Sequence, residues 1–104
     1  MTTAKFLFSD DTIVSFELSG HSGAGEEGTD IVCSAISSAV YMAANTIIEI
    51  MKLNPETVVR DGYLKVKMTL EDARKSKVIT DGLYLHLGEL QNQYPNNLKL
   101  ERGV

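Results

Sequence analysis

The chain has 104 residues, 43% of them hydrophobic and 23% charged, and its net charge at pH 7 is −4. This length allows one domain with one core, over residues 1–104, and the composition is that of an ordinary globular protein. The negative charge argues against direct nucleic-acid binding by the surface as a whole.

The cysteine content and the first residues bear on where the protein works. One cysteine cannot form an internal disulfide, and Met1–Lys5 lacks the pattern of a secretory signal, so we expect a reducing, cytoplasmic location. Residues 31–48 are eighteen in a row without a charge, which reaches the minimum length of a membrane-spanning helix. Serine, asparagine and threonine dilute this stretch. We therefore expect no membrane contact and a buried helix, covered partly by a second subunit.

Two short strands are predicted at the start of the chain. Lys5–Phe8 and Ile13–Leu18 flank the polar turn cluster Ser9–Thr12, which predicts a hairpin. The glycine-rich, polar segment Ser19–Gly28 follows and is predicted to be a loop.

A long helix is predicted after this loop. Thr29 and Asp30 are both good N-cap residues, and Asn54-Pro55 stops the helix after Leu53. Apolar residues recur at spacings of three and four, which predicts one continuous core stripe. The stripe consists of Val32, Ile36, Ala39, Val40, Ala43, Ile47 and Ile50.

The second half of the chain starts with another predicted hairpin. Its strands are Thr57–Arg60 and Tyr63–Met68, because Asp61-Gly62 between them is a strong tight-turn dipeptide. Apolar residues at helical spacing then predict a helix over Glu71–Tyr94, ended by Pro95.

The last predicted elements complete the architecture. Gly82 and Gly88 weaken the second helix without breaking it, and His86 is expected at the edge of the core. Alternation over Asn97–Arg102 predicts a final strand. The order strand-strand-helix-strand-strand-helix-strand predicts an α+β fold, with a mostly antiparallel sheet of about five strands packed with two helices.

Cys33 is the most informative residue for function. It lies near the start of the predicted helix, twelve positions after His21, where the positive end of the helix dipole favours a thiolate. The intervening loop can bring the imidazole to the thiol, which would complete a nucleophile and base pair. Ser37 and Tyr41 continue the face of Cys33 at helical spacing. The pattern indicates a cysteine hydrolase, and the alternative is a buried structural cysteine.

Two polar residues near Cys33 each have a structural and a functional interpretation. Asp30 caps the helix or lies in its first turn, or else it orients His21 or holds a substrate group. Ser37 allows close helix packing, or else it lines a substrate groove one turn from the thiol.

Other motifs argue less well for a function. Gly23–Gly28 matches the dinucleotide fingerprint, but Glu26 and Glu27 would repel a pyrophosphate and the preceding strands form no βαβ unit. Gly20–Ala24 resembles the nucleophile elbow of serine hydrolases, but its last glycine is missing and no helix follows the serine directly. One cysteine and two distant histidines offer no metal-ligand cluster, so we expect neither a metal nor a cofactor.

Four blocks of the sequence carry a family resemblance. Gly20-His21, Gly28, Asp30–Cys33 and Ser37 resemble the signature of the ribosomal-processing cysteine protease family. The predicted element order is similar to that family's layout over essentially the whole chain. The resemblance implies a cytoplasmic, homodimeric endopeptidase. It implies that the substrate is the N-terminal extension of a large-subunit ribosomal protein, removed by a cut after an aromatic pair and before a small residue and a lysine-rich stretch.

The resemblance also implies roles for individual residues. Cys33 would be the nucleophile that forms a thioester, and His21 would be the general base. Asp30 and Ser37 fall on positions that the family associates with the substrate site.

The glycine-rich loop is expected to act as a lid. Gly23, Gly25 and Gly28 make this loop costly to order, so we expect it to be mobile without peptide and to close on binding. Glu26 and Glu27 would attract the lysines beyond the cleavage point and raise the rate of encounter.

Two other functions stay open at this point. The first is a non-enzymatic, ribosome-associated α+β interaction domain in which Cys33 is structural. The second is a thiol redox sensor, which has no second cysteine in its own chain to resolve an oxidised Cys33 and would need one from another subunit.

Overall fold

The computed structural model describes residues 1–20 and 27–104, with the backbone alone at 27–30. The five strands are β1 (Thr2–Ser9), β2 (Thr12–Ser19), β3 (Glu56–Arg60), β4 (Tyr63–Lys67) and β5 (Leu98–Gly103). The helices are α1 (Glu27–Asn45), which continues into a π-helical turn over Thr46–Ile50, α2 (Leu70–Lys75) and α3 (Lys77–Gln93).

The strands form one mixed sheet in the order β3-β4-β2-β1-β5. Three of the neighbouring pairs are antiparallel, and β1 and β5 are parallel. Near the centre, Phe6 lies opposite Phe16, and Phe16 lies opposite Val66. The predicted α+β fold with its mostly antiparallel sheet is confirmed. The parallel pair arises because the chain passes through α2 and α3 before it returns as β5 at the far edge.

The core lies between one face of this sheet and the helices. Phe6 and Phe16 on the sheet and Leu87 on α3 are each at most 1% exposed. Tyr84 of α3 sets its ring edge-on to Phe6, with the ring centroids 5.0 Å apart. His86, expected at the edge of the core, is exposed instead, because its neighbour Leu87 takes the buried position on α3.

The apolar stripe of α1 is confirmed except at its end. Ile50 was predicted to belong to the stripe but is 76% exposed, and Met51 packs against the core instead. The cause is the π-helical turn, in which the Met51 amide donates to the Thr46 carbonyl at 2.9 Å. This wider turn adds one residue and so rotates the positions that follow. The buried members of the stripe are Val32, Ile36, Val40, Ala43 and Ile47.

The prediction of one unbroken helix over Glu71–Tyr94 is wrong, because α2 and α3 meet at Ser76. Ser76 has φ −94° and ψ 4° and is 1% exposed. Its hydroxyl donates to the Met51 sulfur at 3.9 Å. Gly82 and Gly88 lie inside α3 and leave it continuous. The two helices therefore meet at a residue with a buried contact and not at a glycine.

One helical stretch in the described part of the chain, Ile31–Ile50, is long and apolar enough to cross a membrane, with a mean hydropathy of 1.7. The same test is passed by the core helix of a globular protein. The buried side chains of this stretch are Ala44 and those of the core stripe.

Candidate active site

A cleft of about 240 Å³ opens where α1 faces the turn between β3 and β4. The helix contributes Cys33, Ser37 and Tyr41 to its wall. Cys33 is half-buried and its thiol is free, so the sulfur lies at a cleft and not inside the core. The sheet side is formed by Thr2, Leu18, Gly20, Arg60, Asp61, Gly62, Tyr63 and Leu64.

The three helical residues of the cleft share one face of α1. Successive spacings of four place Cys33, Ser37 and Tyr41 above one another along the helix. Ser37 is half-buried, like Cys33, and Tyr41 is 45% exposed. The prediction that Ser37 and Tyr41 continue the face of Cys33 is confirmed.

The start of α1 differs from the prediction. The helix begins at Glu27, so the N-cap predicted at Thr29 or Asp30 is wrong, and Asp30 lies in the first turn. Cys33 is consequently the seventh helical residue. Since the influence of the helix dipole falls off within the first turn, it is smaller at Cys33 than the sequence suggested. The Cα–Cβ bond of a helical residue is tilted toward the N-terminus, which recovers part of this distance.

The predicted lid coincides only partly with the described residues. Glu27 and Gly28 belong to α1, so the loop ends earlier than predicted. The side chains of Glu27 and Asp30 are outside the described atoms. Four further predicted site residues lie outside the described part of the chain altogether: His21, Gly23, Gly25 and Glu26.

Gly20, the residue before His21, lies on the cleft wall. Its φ is +89°, and a Cβ at this position would lie 2.7 Å from the Met1 carbonyl oxygen. Its amide donates to the Gly62 carbonyl at 3.0 Å. Only glycine meets both demands. Gly20, the last described residue before His21, is therefore held on the wall of the cleft that contains Cys33.

Arg60 and Tyr63 of the β3–β4 hairpin are among the cleft residues that sequence reasoning did not assign to the site. The Tyr63 hydroxyl donates to the Glu17 carboxylate, and the Arg60 guanidinium lies over the Tyr63 ring, 4.4 Å from its centroid. The hydrogen bond to Glu17 raises the pKa of Tyr63 above its ordinary value of 10.0, because ionisation would set two negative charges side by side. The Asp61-Gly62 signal predicted the hairpin, but its position beside α1 depends on the pairing of β4 with β2.

Thr2 was also missed as a cleft residue. It is 1% exposed, and its hydroxyl oxygen has no hydrogen-bond partner in the described structure. Its amide is bonded to the Asn97 carbonyl at 2.9 Å. A buried hydroxyl without a partner costs about 1–3 kcal/mol. No sequence signal marks this residue, which lies at the start of β1 opposite Leu98 of β5.

The described part of the chain was searched for side chains that could bind a metal ion. Across residues 1–20 and 27–104, no group of three or more His, Cys, Asp or Glu side chains is placed to hold an ion. The reactive group that the cleft offers is the Cys33 thiol.

Comparison with known proteins places the chain in a family. The family model described as cysteine protease Prp matches residues 1–99. The ribosomal processing cysteine protease Prp of Bacillus subtilis is 28% identical over 101 residues, which cover 91% of this chain and 90% of that protein. The Staphylococcus aureus protein of the same name is 25% identical over 85 residues, 80% of each chain.

Solved structures agree with this sequence relationship. Prp from S. aureus in complex with a substrate peptide superposes with a TM-score of 0.86 at 22% identity, over 98% of this chain and 99% of that one. A Streptococcus mutans protein gives a TM-score of 0.84 at 26% identity, over 99% and 94%. The match extends over essentially the whole fold. The chain belongs to the cysteine protease Prp family and is a cysteine protease.

Proposed function

We propose that this protease removes the N-terminal extension of a large-subunit ribosomal protein, cutting after an aromatic pair, with Cys33 as nucleophile and His21 as general base. One observation carries the proposal: Cys33 and Gly20, the residue before His21, line the same cleft. The relatives from B. subtilis and S. aureus are ribosomal processing proteases, which supports the choice of substrate.

The chemistry follows from the two side chains. The His21 imidazole takes the thiol proton, and the Cys33 sulfur attacks the scissile carbonyl carbon. The tetrahedral intermediate expels the amine, which receives the proton from the imidazole, and a thioester remains on Cys33. A water molecule, deprotonated by His21, then attacks the thioester and releases the carboxylate product. S. aureus Prp has been crystallised with a covalently linked product peptide, which supports covalent catalysis here.

Backbone amides at the start of α1 are the proposed donors to the oxyanion. The first N–H groups of a helix have no partner within the helix. α1 begins one to two turns before Cys33, and a helical side chain leans toward the N-terminus. The sulfur and the bound carbonyl therefore face the turn that carries these free donors. Each well-placed donor contributes about 3 kcal/mol to the stability of the transition state.

The other site residues are assigned to substrate binding. Ser37 lies one turn from Cys33 on the cleft wall, where its hydroxyl can bond to the peptide backbone. Asp30 lies in the first turn of α1, and we assign it to a substrate group or to the orientation of His21. Glu26 and Glu27 would attract the lysines that follow the cleavage point.

A homodimer in the cytoplasm is part of the same proposal. Ile31 and Met42 on α1 are 71% and 53% exposed, and a second subunit would cover such apolar side chains. The single thiol, Cys33, needs a reducing compartment to stay available for catalysis.

The direct test is cleavage of the extended ribosomal protein. We expect the wild-type chain to release the extension, and Cys33→Ala or His21→Ala to reduce kcat/KM by about 10³-fold or more. Ser34→Ala is the matched control, because Ser34 is an exposed neighbour of Cys33 on α1 and does not line the cleft. Mass spectrometry of the products locates the cut.

Two results would reject the proposal. If the folded wild-type chain left the extension intact, this substrate would be wrong. If Cys33→Ala cut as fast as the wild type, the nucleophile would be wrong.

A further inference from the structure

The cleft continues along α1 beyond the residues already assigned to catalysis. Tyr41 forms its far end, two turns from Cys33, and is 45% exposed. The ring contacts among the described residues involve other aromatic side chains: Phe6, Phe8, Phe16, Tyr63 and Tyr84. The Tyr41 ring is thus available to a molecule in the cleft.

The cleft has apolar side chains on its wall as well as the Cys33 thiol. Leu18 and Leu64 of the sheet line it together with Tyr41, and Leu64 is 4% exposed. The volume of about 240 Å³ is smaller than the roughly 300–1,000 Å³ of a typical ligand pocket. This space suits one large side chain rather than a folded partner.

The distance along the helix shows which substrate residue reaches Tyr41. Eight residues separate Cys33 from Tyr41, which is about 12 Å along an α-helix. The Tyr41 side chain leans back toward Cys33, because helical side chains tilt toward the N-terminus. An extended peptide advances about 3.3 Å per residue. A peptide that runs along α1 would therefore place opposite the ring a residue two or three positions from the attacked carbonyl.

We propose that Tyr41 is a specificity-determining residue that forms the wall of a subsite for a large apolar or aromatic side chain, two or three positions from the scissile bond. An aromatic partner packs edge-on or offset against the ring, and a long aliphatic side chain lies on its face. This inference rests on the proposed peptidase activity and adds to it the position and the type of one recognised side chain.

The test uses synthetic peptides that span the aromatic pair and the lysine-rich segment, with alanine placed in turn at each position on both sides of the cut. Tyr41→Ala should raise KM about 10-fold for peptides with a large apolar residue at one scanned position. It should change KM less than about 2-fold when that position is alanine, and kcat should change little in both cases. Tyr41→Phe should retain the preference, because the ring remains.

Leu85→Ala is the matched control. Leu85 lies on α3 and is 66% exposed, but it does not line the cleft, so its loss should not alter the preference. Tyr41→Leu guards against misfolding, since it keeps an apolar side chain of similar length. It should weaken the preference for aromatic residues more than that for aliphatic ones.

A binding measurement separates this inference from the proposed activity. The same peptides are titrated against Cys33→Ala, with and without Tyr41→Ala, by fluorescence anisotropy. We expect the Tyr41→Ala change to weaken binding at the same single position as in the kinetics. An equal loss at every position, or none at any, would overturn the assignment of Tyr41 even if cleavage proceeds normally. If the wild type cut no peptide and Cys33→Ala bound none, the proposed function would fall as well.

Discussion

The amide of Gly20 donates a hydrogen bond to the carbonyl of Gly62 at 3.0 Å, which joins the end of β2 to the turn between β3 and β4. Both glycines have positive φ, +89° at Gly20 and +72° at Gly62. Both also line the cleft that contains Cys33. This bond holds in place Gly20, the described residue that directly precedes His21, the proposed base.

Gly20→Ala is expected to destabilise the fold and to reduce activity together. The substitution adds a Cβ 2.7 Å from the Met1 carbonyl at a φ of +89°, and such a backbone costs about 1–3 kcal/mol for a non-glycine residue. Urea unfolding measures the loss of stability, and kcat/KM measured well below the unfolding midpoint reports the displacement of His21.

Gly82→Ala is the control for this prediction. Gly82 lies inside α3, and an added Cβ there would have nothing within 4 Å of it, so alanine should stabilise the protein by about 1 kcal/mol through helix propensity. If Gly20→Ala had the same small favourable effect, the wall position assigned to Gly20 would be wrong.

The hydrogen bond between Tyr63 and Glu17 predicts a stability that depends on pH at the alkaline end. The pKa of Tyr63 is raised above 10.0 in the folded state, so the folded protein keeps this proton when the unfolded chain loses it. The contribution is fully present below pH 10 and disappears as pH rises through the folded pKa. The wild type should therefore lose stability relative to Tyr63→Phe above pH 10, measured by urea unfolding.

Glu17→Gln tests the cause of that shift. Without the carboxylate, the pKa of Tyr63 should fall toward its ordinary value. The tyrosinate absorbance of wild type and Glu17→Gln, each compared with its Tyr63→Phe counterpart, isolates this one residue. A titration of Tyr63 that is the same in both proteins would show that Glu17 is not its partner.

Thr2→Val is expected to stabilise the protein by about 1 kcal/mol, because it replaces an unpaired buried hydroxyl with a methyl group of similar shape. Thermal unfolding measures the effect. Thr12→Val is a useful comparison, since Thr12 is also buried but its hydroxyl donates to the Asp11 carboxylate at 3.2 Å. A destabilised Thr2→Val would mean that the Thr2 hydroxyl has a partner that matters for folding.

The neighbouring glutamates Glu26 and Glu27 predict a salt-dependent rate. Glu26→Gln combined with Glu27→Gln should lower kcat/KM several-fold toward the lysine-containing substrate at low ionic strength, and the difference should shrink as salt is added. Glu89→Gln, an exposed glutamate on α3, changes the net charge without changing the site. Equal rates for the double variant and the wild type at low salt would show that Glu26 and Glu27 take no part in substrate recognition.

Local patterns account for most of the fold. Both hairpins, the final strand and the core stripe of α1 follow from alternation, turn residues and helical spacing. The features that differ depend on distant contacts. Ser76 ends α2 because it is buried near Met51, and the π-helical turn at Thr46–Ile50 places Met51 rather than Ile50 in the core. No periodicity within one segment contains that information.

The candidate site also has residues that local patterns predict and residues that depend on distant contacts. Cys33, Ser37 and Tyr41 share a helix face, so their spacing alone predicted that they lie together. Arg60 and Tyr63 reach the cleft only because β4 pairs with β2, a long-range choice that the hairpin signal does not contain. We expected His21 near Cys33 because a thiol nucleophile needs a base, and His21 lies outside the described residues.

The most direct measurement for the central claim is the intact mass of the protein, quenched rapidly in acid during cleavage of the extended substrate. The account predicts a transient adduct with the mass of the released extension, less one water, mapped to Cys33 by peptide sequencing. The adduct should be absent from Cys33→Ala and form more slowly in His21→Ala. Turnover with the adduct on another residue, or full turnover by Cys33→Ala, would contradict the account.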